Sequence, residues 1–156
     1  MIDTPQIVET AAQEIAFIHL TIPRAEIQNV MGPGLGELMA TVAAQGIAPS
    51  GPWFAHHLKM DPAVFDFEIG VPVASPVAAV GRVKPGRRPA MRVVRAEYRG
   101  PYEGLGAAWG EFDGWIAAQG YEAGADLWEC YLAGPESSPE PSAWRTEFSR
   151  ALVDQN

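Results

Sequence analysis

The sequence predicts an α+β fold in which a strand-helix-strand-strand unit is used twice, giving an antiparallel sheet with two main helices. Three observations predict it. Gly34-Leu35-Gly36, followed by a helical pattern closing at Gln45-Gly46, recurs as Gly104-Leu105-Gly106, followed by one closing at Gln119-Gly120. Each helical stretch is preceded by one strand-like run and followed by two more. Finally, 156 residues with 47% hydrophobic and 19% charged composition is the size and make-up of one ordinary globular domain.

In chain order, Ile15 to Thr21 reads as the first strand. Leu35, Leu38, Met39 and Val42 then fall at the i, i+3, i+4, i+7 spacing of an amphipathic helix, and Gly46 stands where a left-handed residue ends one. Strands follow at Trp53 to Leu58 and Phe65 to Val71, the latter with Phe65, Phe67, Ile69 and Val71 alternating onto one face. A strand at 77–83 is joined to one at 91–98 by Lys84-Pro85-Gly86-Arg87-Arg88-Pro89, read as a loop on its prolines and glycine. Leu105, Ala108, Trp109, Phe112 and Ile116 mark the second helix, with Gly120 at its end. Strands at Leu127 to Leu132 and Trp144 to Leu152 complete the second unit, linked by the proline-rich stretch Pro135 to Pro141. The expectation is one domain over 1–156 with pseudo-repeats of about 6–75 and 76–152.

The N-terminus has neither the basic nor the apolar region of a signal peptide, and no window is long and apolar enough to span a bilayer, so the chain reads as cytoplasmic and not membrane-associated. One cysteine, Cys130, excludes an internal disulfide and a multi-cysteine zinc cluster. Net charge is −8, although seven of the eleven basic residues lie between Arg82 and Arg99. Aromatic residues do not interleave with those charges, so the stretch reads as a solvated loop and an outward strand face; no direct nucleic-acid binding is expected. His56 and His57 are adjacent in a strand and point to opposite faces, His19 is isolated, and no metal site or cofactor is expected. Gly32-Pro33-Gly34-Leu35-Gly36 lacks the Lys and Ser/Thr of a phosphate loop and reads as the turn into the first helix.

One residue stands out. Glu129 lies in an apolar strand among Leu127, Trp128, Cys130, Tyr131 and Leu132, where a carboxylate loses water unless something compensates it. Alternation puts Leu127, Glu129 and Tyr131 on one face. Three readings follow: an anionic anchor in an apolar pocket for an aromatic cation, an ion pair with an arginine such as Arg95 across the sheet or a solvated edge, or a desolvated carboxyl group that works beside a tyrosine hydroxyl as acid or base. Trp53, Tyr98, Tyr102, Trp109, Trp128 and Trp144 are aromatic enough to line a pocket, Trp109 being better explained as core. Tyr98 and Tyr102 flank the Gly100-Pro101 turn, where a phenol can face a cleft mouth.

Tyr98-Arg99-Gly100-Pro101-Tyr102 with Gly104-Leu105-Gly106, then Leu127 to Leu132, then Trp144-Arg145-Thr146-Glu147, resemble the second half of the GyrI-like small-molecule-binding domain, which is also the effector-binding domain of AraC-type and MerR-type regulators. Phe65 to Val73 is similar to that family's strand ending in Gly-Val-Pro-Val. The resemblance implies a ligand cleft between two pseudo-twofold halves, with the family's pocket carboxylate falling on Glu129. Tyr131 would flank it, Tyr98, Tyr102 and Trp53 would form aromatic walls, and Leu127 and His57 would add lining. The implied ligands are hydrophobic, cationic or aromatic small molecules. Some members hydrolyse electrophilic cyclopropane-containing toxins, so Glu129 and Tyr131 are also the candidate catalytic pair. DNA gyrase or a separate regulator is the protein partner such a stand-alone domain would have. The chain departs from the family pattern at His56-His57 and at Ser149 and Ala151, which leaves the ligand's identity open.

Overall fold

The computed structural model describes residues 2–134 and 138–153. In chain order the elements are β1 (Gln6–Thr10), β2 (Gln13–Pro23), α1 (Ile27–Ala44), β3 (Phe54–Met60), β4 (Val64–Pro72), β5 (Lys84–Arg88), β6 (Met91–Arg99), α2 (Leu105–Ala118), β7 (Leu127–Ala133) and β8 (Arg145–Ala151). The fold is α+β, with antiparallel strands and two main helices, as the repeat predicts. Two compact units divide the chain: residues 11–90, and residues 1–10 with 91–156.

In the 11–90 unit the strands run β3-β4-β2-β5. The pairing of Ile18 with Ile69 and Leu20 with Phe67 sets an apolar face, and α1 packs on β2 and β4, burying Leu38 and Val42. The other unit runs β1-β6-β8-β7. Its core joins Val94, Ala96 and Tyr98 of β6, Phe148 of β8, and Ala108, Phe112 and Ile116 of α2, the helical stripe expected from the sequence. Both helices end alike. Gly46 (φ 71°) and Gly120 (φ 79°) take the left-handed conformation, and Ile47 and Tyr121 donate back to Val42 and Ile116, six-to-one closures that stop each helix after Gln-Gly.

Three expectations are corrected. The Gly32–Gly36 run is not a turn into the first helix; α1 begins at Ile27 and carries Pro33 inside it. Close packing explains the glycine: a Cβ on Gly34 would meet Ile69 Cδ1 at 2.7 Å, so the helix reaches the sheet only with hydrogen there. The 77–83 stretch is not a strand, although Val77 and Val83 are buried and Val80 bridges to Val83. The pairing falls instead on 84–88, read from sequence as a loop: β5 is an edge strand, hydrogen-bonded to β2 alone, and an edge tolerates Pro85 because one side of its backbone needs no partner. The sequence also gives no sign of β1, which pairs with β6 across some 80 intervening residues. Of the proline-rich link, residues 135–137 lie outside the described residues, and Pro141–Ala143 form a single 3-10 turn.

The 11–90 unit has one especially tight packing point. A Cβ on Gly70 would sit 2.5 and 2.7 Å from the buried Phe54 ring, directly across the β3–β4 ladder. Gly70→Ala is expected to destabilise the fold by about 1–3 kcal/mol, read as a lower urea midpoint with an unchanged slope.

Candidate functional site

Glu129 is 8% exposed and lies directly opposite Phe148 in the β7–β8 ladder. Phe148 is a core residue under α2, so Glu129 projects from the core side of the sheet, together with Leu127 and Tyr131. Tyr131 lies opposite Thr146, and both are buried. The other face carries Arg95, Glu97, Arg99, Arg145 and Glu147. There Arg145 donates to both Glu97 oxygens at 3.0 and 2.6 Å, holding that carboxyl below its usual pKa, and Arg95 lies 3.8 Å from Glu147. Arg95 therefore cannot be the ion-pair partner considered for Glu129: the two stand on opposite sides of one sheet.

Beyond Tyr131 the aromatic surface continues. Tyr102, in the 3-10 turn leading into α2, meets the Tyr131 ring edge-on at 6.0 Å and the Trp144 ring at 4.9 Å. Trp144 is held by its indole N–H, which donates to the Ser138 carbonyl at 2.9 Å. On the Phe148 side, the Trp109 ring lies nearly parallel to the Phe148 ring at 4.2 Å. A buried acid thus stands at one end of a run of aromatic rings. Burial, reinforced by the Glu129 charge and then by Tyr102 and Cys130, pushes the Tyr131 phenol well above the ordinary tyrosine pKa. The hydroxyl consequently stays protonated and acts as a hydrogen-bond donor.

The remaining candidates are placed as follows. Leu127 is buried on the Glu129 face. Tyr98 is inside the core, its ring against Phe148 and its hydroxyl donating to the Pro101 carbonyl at 2.8 Å, so it fastens the strand-to-helix turn. Trp53 and His57 belong to the 11–90 unit. Trp53 is half-buried just before β3, while His57 stacks on Phe67 at 5.3 Å and tilts against Phe65 at 5.4 Å, with the Arg24 guanidinium 4.4 Å over Phe65. His56 points the other way, to Glu68 at 3.1 Å, as strand alternation requires.

The two units mark Glu129 out by comparison. Each has a register shift in the strand after its helix, at His57/Lys59 in β3 and Tyr131/Ala133 in β7. Matched on that shift, His57 corresponds to Tyr131 and the fully buried Ala55 to Glu129. The carboxylate therefore occupies a position that the same supersecondary unit elsewhere fills with a methyl group.

Sequence reasoning missed Thr146; it read Trp109 as core, and Trp109 does pack on the core cluster. Thr146 could have been found by carrying alternation from Phe148 back two residues, whereas nothing local reveals that Trp109 lies over Phe148. Among the described residues no cluster of three or more His, Cys, Asp or Glu is arranged to hold a metal, and no helix is long and apolar enough to cross a membrane. An open depression of ≈460 Å³ lined by Ile2, Pro5, Glu111 and Trp115 contains none of the candidate residues. Because the Tyr131 phenol resists ionisation, Tyr131→Phe is expected to leave the amplitude of tyrosinate absorbance around pH 10 unchanged in the folded protein and to lower it only after unfolding.

Comparison with known proteins agrees with this architecture. No curated protein matches the chain. Among solved structures, the chain is similar to the EcmrR C-terminal domain, with a TM-score of 0.86 and 18% identity over 97% of this chain and 98% of that one. It spans 58% of the EcmrR chain in the EcmrR-DNA complex in EcmrR-RPo, at a TM-score of 0.85 and 19% identity over 97% of this chain. It is also similar to SAV2435 bound to tetraphenylphosphonium (TM-score 0.67, 12% identity, 97% of this chain and 94% of that one) and to a hydrolase from Listeria innocua (0.65, 13%, 96% and 91%). At these identities the likeness is one of fold. The model of the GyrI-like small molecule binding domain matches residues 3–148, and the chain belongs to that family.

Proposed function

We propose that the protein binds hydrophobic, cationic aromatic small molecules at the Glu129 face of β7, with the Glu129 carboxylate as anionic anchor. The observation carrying this reading is the placement of a carboxylate on the core side of the sheet beside Tyr131, in a wall continued by Tyr102 and Trp144. Such a surface suits a lipophilic cation on both counts. A carboxylate in a low-dielectric setting attracts positive charge far more strongly than one in water, and ring faces add about 0.5–2 kcal/mol of cation–π attraction. The tetraphenylphosphonium bound to SAV2435, a chain of the same fold, is a ligand of this class.

Hydrolysis is the second reading, favoured by the name of the Listeria innocua neighbour and by the same carboxylate. In it Glu129 would activate water or protonate a leaving group on an electrophilic substrate, and Tyr131, whose phenol stays protonated, would contribute a hydrogen bond and no base.

Both readings are tested by Glu129→Gln, a near-isosteric change that removes the charge. Tryptophan fluorescence titration is expected to show affinity for tetraphenylphosphonium falling about tenfold, equivalent to ~1.4 kcal/mol, with little change for the neutral triphenylphosphine oxide. An equal loss for both ligands would refute the anchor. Product formed from a cyclopropane-bearing electrophile by the parent protein and not by the variant would establish the enzymatic reading instead.

A further inference from the structure

Besides Arg150 Nε, the same face holds two buried polar atoms that no group among the described residues satisfies. Thr146 is fully buried, and its hydroxyl has no hydrogen-bond partner among the described residues. Neither has the buried indole N–H of Trp109. Thr146 borders the Glu129 position, and Trp109 is one neighbour removed from it. Thr146 stands directly opposite Tyr131 and diagonal to Glu129 across the β7–β8 ladder, and the Trp109 ring lies on Phe148, the residue directly opposite Glu129. Buried polar side-chain atoms are, as a rule, hydrogen-bonded. Two exceptions around one carboxylate call for a common explanation.

The chemistry of the two groups defines what would satisfy them. An indole N–H can only donate, and a threonine hydroxyl donates or accepts. Neither bonds the Glu129 carboxylate, and neither gains from a positive charge placed beside it. A hydrocarbon cation drawn to Glu129 would leave both groups unmet; a cation that also carries an oxygen acceptor would satisfy them.

We infer that Thr146 and Trp109 are specificity-determining residues that make the Glu129 site select aromatic cations bearing a hydroxyl, ether or carbonyl oxygen over all-hydrocarbon cations of the same size. The inference rests on the binding reading above and adds the polar half of the ligand to it.

The test compares (4-hydroxybutyl)triphenylphosphonium with its isostere pentyltriphenylphosphonium, one flexible arm differing only by oxygen for carbon. Fluorescence titration of the full chain gives the ratio of the two dissociation constants. Thr146→Val, which keeps the shape of the side chain, is expected to shift that ratio about fivefold against the hydroxyl compound, the net worth of a single buried hydrogen bond. Trp109→Phe, which keeps a ring over Phe148, is expected to shift it in the same direction. Thermal unfolding confirms that each variant is folded, and if one is not, the other still decides. A ratio unmoved in every folded variant, while Glu129→Gln still weakens both cations, overturns this inference and leaves the anchor standing. Failure of Glu129→Gln to weaken either cation overturns both.

Discussion

A carboxylate on the core side of an antiparallel ladder is the constraint around which the rest of this molecule is arranged. Removing a charged oxygen from water is costly, and on its own face Glu129 has Phe148 directly across the ladder and Tyr131 beside it. Alternation sends Arg95 and Arg145 to the other surface, where they meet Glu147 and Glu97, while Arg150 stays on the core side and pairs with Asp113 of α2. On one side Arg145 pairs with Glu97; on the other Arg150 pairs with Asp113, and Glu129 lies beside aromatic rings. The matching position in the other unit shows that folding does not require this, since Ala55 fills it.

How much of this was legible in the sequence depends on how local the governing physics is. The face shared by Leu127, Glu129 and Tyr131 follows from a period of two and needs no knowledge of the partner strand. The helix ends at Gln45-Gly46 and Gln119-Gly120 are equally local, a left-handed glycine closing two backbone hydrogen bonds. By contrast, β5 looked like a loop because Pro85 and Gly86 are poor strand residues, and only its position at an edge makes them acceptable. The start of α1 was hidden because Pro33 and three glycines argue against a helix that packing onto β4 nevertheless sustains.

The site divides in the same way. Glu129 announced itself as a polar residue in an apolar run. Tyr98 obeyed the same alternation rule as a wall residue would, yet its hydroxyl is taken up by the carbonyl of Pro101, a partner three residues on that exists only once the chain turns. Thr146 looked unremarkable in Trp-Arg-Thr-Glu, because a hydroxyl's isolation is a property of its surroundings and not of its neighbours in sequence.

The edge strands carry a consequence for the order of assembly. β5, which follows the first repeat, completes the sheet of the 11–90 unit, whereas β1, which precedes it, completes the sheet built from residues beyond 90. The link between Thr10 and Met91 spans 81 positions. As the chain leaves the ribosome, the 11–90 unit has all its strands within reach and can close while synthesis continues. The five residues of β1 must meanwhile wait, unpaired, for a partner made much later. β1, made before the strand it pairs with, is thus among the last to find its place, and until it does the edge of β6 stays open to other chains.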